Sequence, residues 1–122
     1  MNVSGGSIDL NGWTLESDGS GGGETYNITS SPTFEDGDTL VFANSSDPAG
    51  DGSVTPDIVY DTVRLSNTSD TIVLDDGSGI VDFVFYEAGT IISGKSRKFD
   101  PGVTPTAAAN NDFGNWCPEL DD

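Results

Sequence analysis

Carboxylates are the side chains most able to do chemistry in this chain, which has 21 Asp and Glu residues, four Lys and Arg, and no His. Four of the 21 acidic residues lie in two loop-like segments: SSDPAGDGS holds Asp47 and Asp51, and LDDGSG holds Asp75 and Asp76. Loop oxygens of this kind are the ligands that Ca²⁺ prefers, although neither segment has EF-hand spacing. Asp-Gly pairs are also common in tight turns. We therefore interpret both segments as turns and keep bound calcium as the alternative.

Other catalytic chemistry finds little support in the composition. Without His there are no Ser–His or Cys–His nucleophilic pairs. The single cysteine, Cys117, cannot supply a common zinc site or close a disulfide within the chain. Paired carboxylates can hydrolyse glycosides, but among 21 acidic residues some pair always lies close, so the pattern has no weight. We expect no enzymatic activity, no catalytic or metal-binding residues and no cofactor.

The formal net charge of −17 limits the classes of partner. Such a surface repels phosphate backbones and anionic lipids, so we expect neither nucleic acid nor membrane as a partner. Three of the four basic residues form a cluster, Lys95, Arg97 and Lys98. We expect them to pair with local carboxylates, and a docking spot for an anionic partner is the alternative. Met1 precedes no apolar segment typical of a signal peptide, and the compartment stays open.

The positions of these side chains depend on short strands. Period-2 apolar runs between Gly, Pro, Asn and Asp predict an all-β chain of seven or eight strands and no helix. Their number and spacing favour a two-sheet antiparallel β-sandwich. We expect one domain over residues 1–122, with the sandwich core at 1–98 and an irregular tail at 99–122. Phe113 and Trp116 would pin that tail onto the core.

The clearest hairpin is TIVLDDGSGIVDFVFY, residues 71–86, whose Asp76-Gly77 pair suits a tight turn. Its second strand is apolar on both faces except at Asp82. That pattern predicts a central strand, or an outer face covered by a loop. We interpret Asp82 as an acceptor of hydrogen bonds that tie a loop down. Metal ligation or catalysis at Asp82 is the alternative.

A second hairpin is predicted near the start of the chain, in SIDLNGWTLES. Ile8 and Leu10 alternate as in a strand, Asn11-Gly12 marks a corner, and Trp13 with Leu15 begins the next strand. Trp13, Tyr26 and Trp116 could stack on sugar rings if they were exposed. We prefer the interpretation that Trp13 belongs to the core and that Trp116 anchors the tail.

Four segments, in this order, resemble the lamin tail domain family. They are IDLNGWTL, EDGDTLVFAN, RLSNTSDTIVLDDGSGIVDFVFY and GKSRKFDPGVTPTAAANNDFGNWC. The family occurs in nuclear lamins and in bacterial and archaeal secreted or surface proteins. The resemblance implies an immunoglobulin-like sandwich and a binding module without catalytic residues. The chain departs from the family at both ends, because only Met1–Val3 could represent the usual first strand and no Thr-Pro-Gly segment follows Cys117.

These observations predict a non-catalytic, acidic protein-interaction or structural module. A carbohydrate- or calcium-binding accessory module is the alternative. If the first strand of the family is missing, a sheet edge near Ile8–Leu10 is exposed, and exposed edges recruit other chains. We therefore expect a protein partner that includes a second copy of this chain, in a homo-oligomer formed at that edge.

Overall fold

A computed structural model describes residues 1–18, 23–47 and 53–119 of the chain. Strands predominate in these ranges, together with one short helix, α1 (Ala107–Asn110), and a 3₁₀ turn at Phe113–Asn115. The predominance of strands agrees with the predicted all-β class, whereas the prediction of no helix is wrong at α1. The strands are β1 (Thr14–Ser17), β2 (Glu24–Asn27), β3 (Phe42–Ala43), β4 (Ile58–Val59), β5 (Asp70–Asp75), β6 (Ile80–Tyr86), β7 (Arg97–Phe99) and β8 (Trp116–Pro118).

The main sheet contains four antiparallel strands in the order β2-β1-β5-β6. Leu15 of β1 lies opposite Leu74 of β5, and Leu74 lies opposite Asp82 of β6, so all three share one face. β7 and β8 pair antiparallel in a second, two-stranded sheet. β3 and β4 form a parallel pair, unlike the antiparallel arrangement that we predicted. The long connection between them lets the chain return in the same direction.

Two apolar clusters form the core, and both lie against the same face of the main sheet. Tyr26 and Phe42 pack against both clusters and join them. Full burial of one such side chain stabilises the fold by about 1.5–3 kcal/mol. The first cluster contains Leu10, Ile28, Phe34 and Ile58, and the second contains Leu15, Tyr60 and Val63.

The first residues of the chain are bound to a turn at 35–38 and do not extend the main sheet. Asn2, which is 2% exposed, donates from Nδ2 to the carbonyl oxygens of Gly6 and Phe34 at 2.7 and 2.9 Å. Its backbone N–H donates to the oxygen of Asp38, and its carbonyl oxygen accepts from Gly37. These bonds satisfy the polar groups of a buried amide side chain.

The predicted opening hairpin is correct at its corner and wrong before it. Gly12 has a φ of +87°, and Trp13 N–H donates to the oxygen of Leu10 at 3.0 Å. Residues 8–10 do not form a strand. Leu10 is 1% exposed in the core, and Ile8 N–H donates to the oxygen of Phe34 at 3.0 Å. The expected open edge at Ile8–Leu10 is therefore wrong, whereas self-association stays a prediction.

Among the described strands, β6 lies at the outer edge of the main sheet, so the central position, one of the two alternatives predicted from its sequence, is wrong. Val81, Phe83 and Phe85 alternate along one face of the strand and are 42%, 39% and 45% exposed. We call these three side chains the β6 row. Within the described ranges no further strand pairs with β6 and no core cluster includes the row. The hairpin predicted at residues 71–86, β5 with β6, is confirmed, with Gly77 at a φ of +87° in its turn.

The boundary between core and tail, at residue 98, stays a prediction, and this position lies inside β7. Residues 99–119 are ordered by pairing and packing: β8 lies against β7, and Phe99 contacts Trp116 edge-to-face with ring centroids 5.5 Å apart. α1 begins after Thr106, whose Oγ1 accepts from Ala109 N–H at 3.0 Å. This cap satisfies a backbone donor at the start of a very short helix.

Candidate functional site

A cavity of about 380 Å³ lies between the first core cluster and the C-terminal segment. Its walls are mainly apolar, and aromatic side chains supply much of them. The polar groups of this wall include Asp82 from β6 and Asn110 from the end of α1. The aromatic residues that line the cavity are Trp13, Phe34, Phe42, Phe99 and Trp116.

Asp82 and Asn110 form one hydrogen bond and leave two oxygen atoms unpaired. Nδ2 of Asn110 donates to Oδ2 of Asp82 at 2.8 Å. Oδ1 of Asp82 and Oδ1 of Asn110 are shielded from solvent, and neither has a hydrogen-bond partner among the described residues. Buried acceptors without a donor are uncommon in folded proteins, since each costs free energy. This pair is therefore the most unusual polar feature of the fold.

The electrostatic surroundings of Asp82 reflect its partial burial. Burial raises the pKa of the Asp82 carboxyl above its ordinary value, because the charged form loses hydration. The Asn110 amide, the nearby N–H of Phe83 and the Met1 amino group each oppose part of this rise. An additional donor or a cation beside Asp82 would therefore favour its ionised form.

The positions of both residues follow from the elements that carry them. Asp82 lies opposite Leu74 in the β5–β6 hairpin and so belongs to the core-facing side of the sheet. Asn110 ends α1, and its carbonyl oxygen accepts from Nε1 of Trp116 at 2.8 Å. Asn115 also holds this turn, since its Nδ2 donates to the oxygen of Ala109 at 2.8 Å. Asp82 thus ties down a segment, as interpreted from the sequence, and that segment is α1.

The three aromatic residues that suggested sugar stacking do not form one exposed platform. Trp13 packs against the first core cluster and lines the cavity. Trp116 is fixed by its bond to Asn110 and also lines the cavity, whereas Tyr26 packs between the two core clusters.

The second acidic loop segment uses its carboxylates within its own turn. Oδ1 of Asp75 accepts from Gly77 N–H at 2.6 Å, and Oδ1 of Asp76 accepts from the N–H groups of Ser78 and Gly79 at 2.8 and 3.1 Å. Asp51, from the first segment, lies outside the described residues. In the part of the chain that the structure describes, no three Cys, Asp or Glu residues are grouped to hold a metal ion.

The basic cluster holds the C-terminal segment in place. Lys98 forms an ion pair with Glu119 at 3.0 Å, as expected from the sequence. Arg97 donates to the carbonyl oxygens of Thr90 and Trp116, and its guanidinium lies 4.8 Å from the centroid of the Phe113 ring. Backbone carbonyls and an aromatic face thus take the place of carboxylates at Arg97.

Asp70 is a buried carboxylate and, unlike Asp82, has hydrogen-bond partners among the described residues for both of its oxygens. Oγ of Ser17 lies 2.9 and 2.8 Å from its two oxygens. Ser66 N–H donates to Oδ2 at 2.9 Å and Thr71 N–H to Oδ1 at 2.8 Å. The Tyr86 hydroxyl donates to the oxygen of Ser66 at 2.6 Å, and burial together with the nearby Asp70 charge raises the pKa of Tyr86. Nothing in the sequence pattern indicated this network.

Comparison with known proteins identifies no relative of this chain. No family model, no curated protein and no solved structure matches the chain. Among the described residues no helix is long and apolar enough to span a membrane. The site is therefore interpreted from its own geometry.

Proposed function

We propose that this chain is a non-catalytic protein-interaction module, an immunoglobulin-like sandwich of the lamin-tail type, that pairs with a second copy of itself along β6. One observation carries the proposal: β6 is an outer strand whose β6 row is about 40% exposed. An unpaired strand edge with an apolar face is a template for strand addition.

The composition of β6 suits pairing with another strand. The sequence IVDFVFY is rich in β-branched and aromatic residues and contains neither Pro nor Gly. Its single charged residue, Asp82, belongs to the opposite, core-facing side, so the β6 row carries no charge. The charges and prolines that often protect an outer strand from pairing are therefore absent from this row.

A second copy is the partner that the symmetry of the strand favours. Antiparallel pairing of β6 with itself gives a two-fold symmetric contact in which both copies use the same surface. If Phe83 lies at the centre, Val81 of one copy faces Phe85 of the other, and apolar side chains meet along the whole row. A basic partner would gain little here, because the row offers it no carboxylate.

The net charge predicts how such a dimer responds to salt. Two copies, each with a charge of −17, repel one another at low ionic strength. Salt screens this repulsion while apolar contacts persist, so dimerisation strengthens as salt is added. Binding of a basic partner by charge would weaken instead.

Sedimentation equilibrium at about 0.05 M and about 1 M NaCl tests the proposal. We expect dimer formation that increases with salt in the wild type and is lost in Phe83→Lys, which places a charge at the centre of the β6 row. Val59→Lys is the matched control, because Val59 is also 41% exposed but lies on β4. A monomer at both salt concentrations, or equal dimerisation of Phe83→Lys and Val59→Lys, contradicts the proposal.

A further inference from the structure

We infer that the cavity beside Asp82 is a binding site for a small organic cation, a protonated amine carried on an apolar body. Of the β6 row, Val81 lines this cavity, whereas Phe83 and Phe85 do not. The inference does not depend on self-association.

The size and walls of the cavity suit a small molecule. Its volume of about 380 Å³ falls within the range of ligand sites, about 300–1,000 Å³. Its walls are mainly aliphatic and aromatic side chains with a smaller number of polar ones, which is typical of such sites. The polar residues of the wall are Asn2, Ser4, Asp82, Thr106 and Asn110. An apolar body of a ligand would gain hydrophobic free energy by leaving water for this space.

The unpaired polar atoms of the wall are both acceptors. Oδ1 of Asp82 and Oδ1 of Asn110 have no donor, although both residues line the cavity. Both oxygens are shielded from solvent, so a rotation of the carboxylate or the amide is needed to present them to a ligand. An ammonium group carries up to three N–H donors and no acceptor, which matches this pair of oxygens.

Charge and aromatic surface favour a cation over other donors. Trp13 and Trp116 line the cavity, and the face of an aromatic ring attracts an ammonium group through its negative electrostatic potential. No Lys or Arg lies among the described residues that line the cavity. Met1 also lines it, and its amino group, which opposes part of the rise in the pKa of Asp82, is a positive group at this site. The net charge of −17 also raises the local concentration of cations around the molecule.

Tryptophan fluorescence provides a direct test, because the chain has two Trp residues and both line the cavity. Hexylammonium, 1-hexanol and hexanoate share an apolar chain and differ in the charge of the polar end. In the wild type we expect a saturable fluorescence change with hexylammonium, affinity lower by about tenfold for hexanol, and no binding of hexanoate.

Two variants locate the effect. Asp82→Asn removes the charge at nearly constant shape, and we expect it to bind hexylammonium no more tightly than hexanol. Asp61→Asn removes one exposed charge from a residue that does not line the cavity, and we expect it to retain the wild-type preference. Circular dichroism of each variant verifies that the fold is retained.

Equal affinity for hexylammonium and hexanol in the wild type overturns the inference, because the cavity would then bind the apolar chain without recognising the charge. Absence of a saturable signal with all three probes overturns it as well. Both comparisons use only the wild type, so they hold even if Asp82→Asn fails to fold. Repeating them in Phe83→Lys separates this site from the β6 row, since that variant is expected to be monomeric.

Discussion

Asp70 and Asp82 lie on the same core-facing side of the main sheet, one on β5 and one on β6, yet their surroundings are opposite. Asp70 is 3% exposed, and one hydroxyl and two backbone N–H groups bind its oxygens. Asp82 has the amide of Asn110, and its Oδ1 has no partner in the described part of the chain. A carboxylate whose two oxygens both accept hydrogen bonds within the fold, which we call saturated, holds its neighbours in place. A carboxylate with an oxygen that accepts none, which we call unsaturated, can accept a hydrogen bond from a ligand in an adjacent cavity.

The largest effect should come from removing the saturated carboxylate. Asp70→Ala leaves the Ser17 hydroxyl and the N–H groups of Ser66 and Thr71 without their acceptor inside the fold. We expect a loss of about 3 kcal/mol in the free energy of unfolding, measured by urea denaturation. Asp61→Ala, at an exposed position, should change it by less than about 0.5 kcal/mol. A decrease of less than about 1 kcal/mol in the free energy of unfolding of Asp70→Ala would show that Asp70 contributes little to stability, contrary to the difference from Asp82 described above.

A smaller loss is expected from Ser17→Ala. This change removes one donor that lies close to both oxygens of Asp70 and keeps the two backbone N–H donors. We expect a decrease of about 1–2 kcal/mol in the free energy of unfolding. Urea denaturation of Ser17→Ala, Asp70→Ala and the double variant measures their coupling. Fully additive losses would show that the hydroxyl and the carboxylate act independently, contrary to the network described above.

The opposite sign is expected at the unsaturated carboxylate. Asp82→Asn removes a half-buried charge, keeps an acceptor for Asn110 Nδ2 and adds a donor for Asn110 Oδ1. We expect the variant to be more stable than the wild type by about 1 kcal/mol at neutral pH. Thermal or urea unfolding of Asp61→Asn controls for the general effect of removing one negative charge. Destabilisation by Asp82→Asn would show that the ionised carboxylate supports the fold.

The pH dependence of that difference has a definite direction. Burial raises the pKa of Asp82, so the folded protein binds this proton more tightly than the unfolded chain does. The stabilisation from this proton is complete below the ordinary pKa of 3.8 and is lost as pH rises through the raised value. The advantage of Asp82→Asn should therefore be largest at neutral pH and should decrease as the solution is acidified. An advantage independent of pH would contradict this assignment.

The smallest expected effect concerns the outer part of the Asp70 network. Tyr86→Phe removes a hydroxyl that donates to the oxygen of Ser66, and this bond is only partly buried. We expect a loss of about 0.5–1 kcal/mol, because water can replace the donor. Urea denaturation measures this loss. A loss as large as that of Asp70→Ala would contradict the expectation and show that the Tyr86 hydroxyl on β6 is as important for stability as the Asp70 carboxylate.

The sequence predicted those features of the fold that depend on residues close together in the chain. The β5–β6 hairpin was predictable because an Asp-Gly turn joins two apolar runs. The position of β6 at the edge was not, because a strand with two apolar faces has the same pattern whether it lies at the centre or beside an open space. Likewise, alternation at Ile8 and Leu10 describes an extended segment that packs into the core as well as it describes a strand.

The two carboxylate sites depended on residues distant in the chain. Ser17 and Asp70 are 53 positions apart, and Asp82 and Asn110 are 28 apart, so no spacing rule connects them. The four-residue helix α1 is also too short to leave a helical period in the sequence. Asp82 could be recognised as an unusual charge in an apolar strand, but its partner and the cavity beside it could not.

Asn110 has a further consequence for how the molecule opens. Its Nδ2 binds β6 and its carbonyl oxygen binds the Trp116 indole, so this residue joins the C-terminal segment to the main sheet. Segments held by few bonds can open without global unfolding, and amide hydrogen exchange reports such opening. Asn110→Ala removes the Nδ2 bond to Asp82 and keeps the backbone carbonyl that accepts from Trp116. In this variant the amides of Trp116 and Cys117 should exchange faster while those of β1 and β5 keep their protection. The two parts of the chain would then behave as separate units of stability within one domain.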